Sequence, residues 1–563
     1  MRSTRVAVAV VLTLLVAMPR AYAQRAGLRV QVRSQDHAAG SIVLRGYRLD
    51  GGGGARAVRM SKTDLLTRVP GFELSAKPED GAAKFDCGLL DVGGYCLFAF
   101  ADRNANRAWD PGIPEACGWY AARPAGRLDT FRLSNTKEPA QLSIVLRAPT
   151  PFPSQARSTE HGDLRQIRGY PVLQLRGDAR QRGLAHGRLV ARQILDFFEF
   201  YVLEDKFRNA STYQGQFAPF LESHFSYPKD FLAEADGVIE GMKKSGVSLR
   251  IPVLGRDFTR TDLFAINAYI ETRAMRSSCT QFAAWGPQTE GTDVDGEMIT
   301  GRNMDGEIDI RRTTVHGFLL FAVTPTEPGH KRYVSMMWPG FIGTISGINE
   351  DGFYSMENAG PTGPGPVVDG IVPVSWVQRM ALATLGADAT SVDVQKLLDR
   401  YASKGGGACG PGSVILWAVP YTGQEDPAFI YEGDRFGGKI RLPGLVRPRA
   451  KTGIMGSNHY HLYGCDPAKP GMNFGQQPRF SSRWRYEAGM HKMESFVRLG
   501  RKIGTAQMRE LLQCVCHGTT EYAIITQPNQ GIIDVATASL RAEAWDAPYR
   551  KWTRYRFEDL FVR

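Results

Sequence analysis

Cysteine is sparse in this chain, with eight in 563 residues, so a disulfide-dense scaffold is excluded. There is no Gly-x-Ser-x-Gly nucleophile elbow, because in Gly343-Thr344-Ile345-Ser346-Gly347 the serine is displaced by one position, and no His-Glu-x-x-His helix. No Lys/Arg run is interleaved with aromatics, so nothing in the chain suggests a nucleic-acid partner. No segment repeats at a solenoid or propeller period. The apolar run Val6 to Met18 is too short for a stable membrane span.

That run has another use. Arg2 and Arg5 precede it and the small-residue site Ala21-Tyr22-Ala23 follows it, the pattern of a cleavable secretory signal over residues 1–23. A periplasmic or secreted protein is expected. Removing residues 1–23 takes Arg2, Arg5 and Arg20 and no acid, which lowers the net charge from +12 to +9. Over so long a chain this is a modest bias toward anionic surfaces or substrates.

The length allows two to four domains. Ala26 to Val32, Ser41 to Tyr47, Phe72 to Lys77, Gly94 to Ala101 and Gln141 to Leu146 are short strand-like runs separated by Gly, Pro and Asp. They predict a β-sandwich over residues 24–148. Within it, Asp102, Asn104, Asn106 and Asp110 alternate as calcium-loop ligands do, yet no bidentate Glu closes the loop, which favours a turn held by Asn and Asp side chains. Residues 149–164, rich in Pro, Ser and charge, read as a linker. The remaining residues 165–563 form the main domain, opening with a helix that Asp178 caps and whose Leu184, Leu189, Ile194, Leu195 and Phe198 share a face. His186 on that helix is best explained by packing.

The chemistry centres on Cys279. Gln281 to Trp285 and Glu297 to Asn303 are strand-like runs around a turn-rich Thr289 to Gly296, so a hairpin brings Cys279 toward Arg302 and Asp305. A sulfur nucleophile, a cation and a carboxylate then share one pocket. Further along stand Gly347-Ile348-Asn349-Glu350-Asp351-Gly352-Phe353, which reads as a turn, then a strand ending at Asn358-Ala359-Gly360, then Gly456-Ser457-Asn458-His459 and Phe480-Ser481-Ser482-Arg483-Trp484. His459 and His461 read as residues finishing a strand.

In this order the segments resemble the N-terminal-nucleophile (Ntn) hydrolases of the penicillin acyltransferase and C45 peptidase type, which are similar to bile-salt hydrolases and acid-ceramidase-like amidases. The resemblance covers roughly residues 165–563, including Gly183-Leu184-Ala185-His186-Gly187, and the stretch from Tyr95 to Glu115 resembles a family of small exported β-domains. It implies an α+β fold with an αββα four-layer core, and a precursor that cuts itself between Ser278 and Cys279, the fragments remaining associated. The freed α-amine then serves as base; its ordinary pKa of about 7.7 to 8 suits it to take a thiol proton near neutral pH.

The resemblance further implies that Arg302 holds the thiolate or substrate, Asp305 orients the ammonium, Asn358 helps bind the oxyanion, Asn458 bonds the amine, and Arg483 closes the charge network, with Arg485 the alternative. Gly306 departs from the aromatic that many relatives carry after the aspartate. Neither a metal nor a cofactor is implied, and the substrate class is a small N-acyl amide or a lipid-like molecule. Two other readings stay open: a phospholipase-B-like ester or lipid deacylase, and an exported binding protein that has lost catalysis. The complete polar set around Cys279 favours an enzyme over the latter.

Among the other cysteines, Cys87, Cys96 and Cys117 share the small domain, where one pair can bridge. Cys409, Cys465, Cys514 and Cys516 lie in the main one, and Cys514-x-Cys516-His517 lacks the second ligand pair of a zinc site.

Overall fold

The computed structural model describes residues 25–34, 40–49, 70–91, 93–103, 105–107, 116–119, 131–133, 138–207, 210–268, 278–306, 311–410, 412–447, 451–466, 474–476, 480–516, 518–539 and 546–561. The signal segment 1–23, Asn104 and Asp110 of the calcium-loop reading, and His517 lie outside them.

Two small sheets make the N-terminal part. Arg25–Ser34 pairs antiparallel with Ala82–Asp91 and parallel with Ala140–Leu146. Ser41–Leu49 pairs with Phe72–Ala76 and Gly93–Asp102, and the latter with Cys117–Trp119 and Phe131–Leu133. Along Arg25–Ser34 every second residue is buried, as a strand with one face on a core requires. Leu28, Val30 and Val32 of the first sheet share a cluster with Leu44, Leu97 and Ala99 of the second, which makes the pair a sandwich. None of the eight cysteines forms a disulfide. Cys117 stands opposite Phe100, not Cys96, and the four-residue offset of roughly 13 Å along the strand is beyond the reach of a disulfide.

The main sheet has ten strands. We label β1 (Arg157–Thr159), β2 (Gly162–Ile167) and β3 (Tyr170–Gly177), then β4 (Cys279–Ala284) and β5 (Ile299–Asp305), β6 (Leu319–Pro325), β7 (Tyr333–Met337), β8 (Ser346–Asn349), β9 (Tyr354–Ala359), β10 (Gly412–Ala418), β11 (Ala428–Asp434), β12 (Gly437–Arg441), β13 (Gly453–Gly456), β14 (Thr520–Gln527), β15 (Ile532–Thr537) and β16 (Thr553–Arg556). The larger sheet runs β12-β11-β10-β9-β8-β7-β6-β3-β2-β1, and a six-stranded sheet runs β13-β4-β5-β14-β15-β16. Gly347-Ile348-Asn349, expected as a turn, belongs to strand β8, and the turn begins after it.

β1 and β2 correct the domain boundary. β1 and the first half of β2 fall inside the stretch expected to be a linker, yet Gly162 pairs with both Thr159 and Leu175 and Leu164 is buried. The main domain therefore starts at Arg157. An edge strand is half solvated, so its polar composition imitates a linker.

Helices cover both outer faces. α1 (Ala179–Asp196) and α2 (Lys229–Lys244) pack on each other, and α1 and α3 (Val374–Thr384) lie on the larger sheet; α4 (Phe480–Arg498) and α5 (Thr505–Cys514) lie on the smaller. The order is helices, sheet, sheet, helices: an αββα four-layer α+β fold. Asp178 caps α1 as expected, accepting Gln181 N–H at 2.9 Å while Gln181 Oε1 returns the bond to Asp178 N–H. The small-residue segment has a physical reason: a Cβ on Gly183 or Gly187 would overlap the carbonyl of Glu234 or Val238 on α2. His186, buried, accepts Gly340 N–H at Nε2, 3.0 Å away. None of the helices among the described residues is long and apolar enough to cross a membrane.

The inner strands expose opposite faces to opposite layers. Phe282 and Ala284 of β4 join Met490, Met493 and Leu511 of the helices, whereas Gln281 reaches across to donate to Val414 O of β10 at 3.1 Å. Cys279, two residues earlier, points the same way as Gln281, into the seam between the sheets.

Candidate active site

β4 and β5 are antiparallel, with Cys279 opposite Met304 and Gln281 opposite Arg302. The hairpin expected from the sequence is thus present, its strands running two residues earlier at Cys279 and two later at Asp305. Cys279 is 2 % exposed. Burial raises its thiol pKa, while the Arg302 charge and a hydrogen bond from the Asp305 backbone pull the other way.

Arg302 is fully buried. Its guanidinium donates to Ile345 O and Ser346 Oγ, to Glu357 O at 2.8 Å, and to Cys279 Sγ at 3.8 Å, and lies 5.8 Å from the centre of the Tyr522 ring. No acceptor in this set is a carboxylate. Burial opposes its charge, but Tyr522, Cys279, Tyr354 and Glu357 outweigh that and leave its pKa raised. Asp305 ends β5, where the pairing with β14 slips by one residue, and accepts Thr520 Oγ1 at 2.6 Å.

Asn458, 179 residues downstream, accepts the Cys279 backbone N–H at 2.9 Å and donates from Nδ2 to Ala359 O at 2.8 Å. Asn358 is buried beside it. Its Nδ2 donates to Ser457 O at 3.1 Å and, at the long limit of 3.4 Å, to Gly456 O. The second amide hydrogen is therefore weakly held.

Arg483 does not join this group. It is exposed on α4, and the position beside Cys279 expected for it is held by Arg485, the alternative, two residues on. Arg485 is fully buried and donates to Cys279 O and Thr280 Oγ1 at 2.6 Å each and to Asn458 Oδ1 at 2.7 Å. A shift of two residues turns a helical side chain by about 200°, from outward to inward. Burial lowers its pKa. Ser278 Oγ lies 3.4 Å from Ser481 Oγ.

Several residues of the site carry no motif. Glu357, next to Asn358, is buried with Ser413 Oγ at 2.9 Å as a donor, and burial pushes its carboxyl up to about 7. Ser346 Oγ is 3.1 Å from Tyr522 Oη, and both touch Arg302. An acid inside a strand buried along nearly its whole length was the signal available for Glu357; Ser346 and Tyr522 offered none. Gly306 has a reason too. A Cβ there would stand 2.8 Å from Glu521 Oε1, so any larger residue requires the Glu521 side chain to shift. His459 and His461 follow β13 instead of finishing it.

The proposed metal alternatives are occupied otherwise. Asp102 accepts the N–H groups of Asn106 and Arg107 at 3.2 and 3.0 Å, which makes a turn, and Cys516 donates to Asp546 at 2.7 Å. Among the described residues no three His, Cys, Asp or Glu converge on a metal position.

No family model and no curated protein matches the sequence. Solved structures align distantly. An N-acylethanolamine-hydrolyzing acid amidase orthologue from Caenorhabditis elegans is 16 % identical, covering 45 % of this chain and 93 % of its own, with a TM-score of 0.31. A conjugated bile acid hydrolase mutant from Clostridium perfringens is 12 % identical, covering 50 % and 92 %, TM-score 0.32. Penicillin V acylase from Agrobacterium tumefaciens is 13 % identical, covering 46 % and 83 %, TM-score 0.30.

Proposed function

We propose that this chain is an exported, self-processing cysteine Ntn hydrolase or acyltransferase that cleaves N-acyl amide bonds through a thioester. The observation that carries the reading is Arg302, a buried cation whose hydrogen bonds include no carboxylate and whose guanidinium faces the Cys279 sulfur at 3.8 Å. A buried cation with no carboxylate hydrogen-bonded to it is costly; an anion forming on that sulfur lowers the cost.

Scission between Ser278 and Cys279 frees an α-amine on the nucleophile itself. The amine takes the thiol proton, Sγ bonds to the acyl carbon, and the carbonyl electron pair moves onto oxygen, where the Asn358 amide is placed to donate. Collapse breaks the C–N bond, and the leaving amine takes the proton back from the Cys279 ammonium. Water, or a second amine, then attacks the thioester with the α-amine again as base. Asn458 and Asp305 hold that amine. β3, on the N-terminal side of the cut, is hydrogen-bonded inside the large sheet between β2 and β6, which supports fragments that stay together.

The test is turnover of a panel of N-acyl amides, matched esters and phospholipids by the purified protein and by Cys279→Ala. Amide cleavage that vanishes in the variant supports the reading. Cleavage of esters or phospholipids alone transfers the protein to the deacylases, and no Cys279-dependent turnover of any kind returns it to a binding role.

A further inference from the structure

Behind Asn458 lies a second polar group that the chemistry above does not use. Ser482, fully buried on the first turn of α4, accepts Asn458 N–H at Oγ, 2.8 Å away. The same Oγ is 2.8 Å from His459 Nδ1 and 3.0 Å from Ser457 Oγ. Ser457 Oγ is in turn 3.1 Å from His459 Nδ1 and donates to Ser482 O at 3.1 Å.

Donor accounting leaves two closed arrangements. With Asn458 N–H donating to Ser482 Oγ and Ser457 donating to Ser482 O, either the Ser482 hydroxyl donates to His459 Nδ1, or Nδ1–H donates to Ser482 Oγ and the hydroxyl to Ser457 Oγ; in both, the imidazole and Ser457 tie down Ser482 Oγ. Burial, with Arg441, Arg483 and Arg485 nearby, pushes His459 down to about 4, so the ring stays neutral. A buried Ser–His pair also suggests a second nucleophile, but Ser482 Oγ is closed off from solvent and already engaged by Asn458.

We propose that Ser482, oriented by His459 and Ser457, is a positioning residue that sets the Asn458 side chain and, through it, the protonation of the Cys279 amine. The Ser457 carbonyl also accepts Asn358 Nδ2, so one three-residue turn, pinned to α4, places both asparagines. The proposal rests on the N-terminal-nucleophile reading. Displacements of about 1 Å in such supports cost roughly 10²-fold in rate. An oxygen facing an ammonium favours its charged form, so a displaced Asn458 lowers the amine pKa. The other groups around that amine are unchanged: Arg302 and Asp305 from β5, Glu357 from β9, Tyr522 from β14 and Arg485 from α4, with Arg441, Arg483 and His461 around the imidazole.

The experiment uses processed protein and iodoacetamide, whose alkylation of Cys279, followed by mass spectrometry against pH, needs no substrate. In Ser482→Ala and His459→Leu the alkylation midpoint, which reports the thiolate, is expected to move to higher pH because a neutral amine no longer stabilises the sulfur anion, and kcat on an N-acyl amide to fall roughly tenfold or more with KM within about twofold. His459→Asn, which restores a hydrogen-bonding group at the Nδ1 position, is expected to recover most of both losses. Native midpoints in folded Ser482→Ala and His459→Leu, or losses in His459→Leu that His459→Asn does not recover, would overturn the proposal. If Ser482→Ala fails to fold, the two His459 variants decide alone. Should no amide be turned over, the alkylation profile still reads the positioning role, so failure of the two ideas is distinguishable.

Discussion

Asn458 Oδ1 accepts two donors at once, the backbone nitrogen of Cys279 at 2.9 Å and the Arg485 guanidinium at 2.7 Å. A single oxygen thus ties the nucleophile's own nitrogen to a buried cation from another layer. In the uncleaved chain that nitrogen is an amide donor; the proposed scission would make it an amine within reach of the same oxygen.

The cation in this pair is not interchangeable. Arg485 reaches three acceptors from two nitrogens, a fork that an ammonium cannot reproduce. Arg485→Lys is expected to lose roughly tenfold or more in turnover, about 1.4 kcal/mol of barrier, whereas Arg483→Ala on the exposed face stays within about twofold. Steady-state rates of both variants check this.

Asn358 separates the two chemical steps. Removing a preorganised oxyanion donor costs about 10²–10³ in rate. Asn358→Ala is expected to lose that much turnover while the processed bands on a denaturing gel form with less change. Equal losses in both steps would mean that one donor serves both.

Glu357 gives a signature in stability. Its folded carboxyl is raised to about 7 against about 4.3 unfolded, so the folded state holds the proton more tightly. The contribution is fully present below about pH 4.3 and is lost as pH rises through about 7; the lost part is about 4 kcal/mol in order of magnitude. Glu357→Gln should remove this slope. Denaturant melts of both proteins between pH 4.5 and 7.5 are expected to show the natural chain losing stability relative to the variant as pH rises.

Gly183 and Gly187 test the packing behind the site. Because a methyl group on either would overlap an α2 carbonyl, Gly183→Ala and Gly187→Ala are each expected to cost about 1–3 kcal/mol, read as a lower denaturation midpoint with an unchanged slope.

The legible and illegible parts of the chain divide along physical lines. Cys279 and Arg302 could be brought to one hairpin face because a two-residue period and a turn set their register, whereas Asp305 has the opposite parity and lies where the pairing with β14 slips. The α1 cap could be read because Asp178 and Gln181 interact locally. Arg483 was preferred over Arg485 because neighbouring arginines on a helix differ only in which way the helix faces, and that depends on a partner layer. Glu357, Ser482 and Tyr522 acquire their roles only where the two sheets and α4 meet. The boundary near Arg157 was misplaced because a solvated edge strand and a linker share a composition.

The most direct test of the central claim is N-terminal sequencing with intact-mass measurement on the purified natural chain and on Cys279→Ala. The account predicts two associated fragments in the natural protein, residues 24–278 and 279–563, the second beginning at Cys279, and one uncut chain in the variant. A fully active natural protein that remains a single intact chain would contradict it.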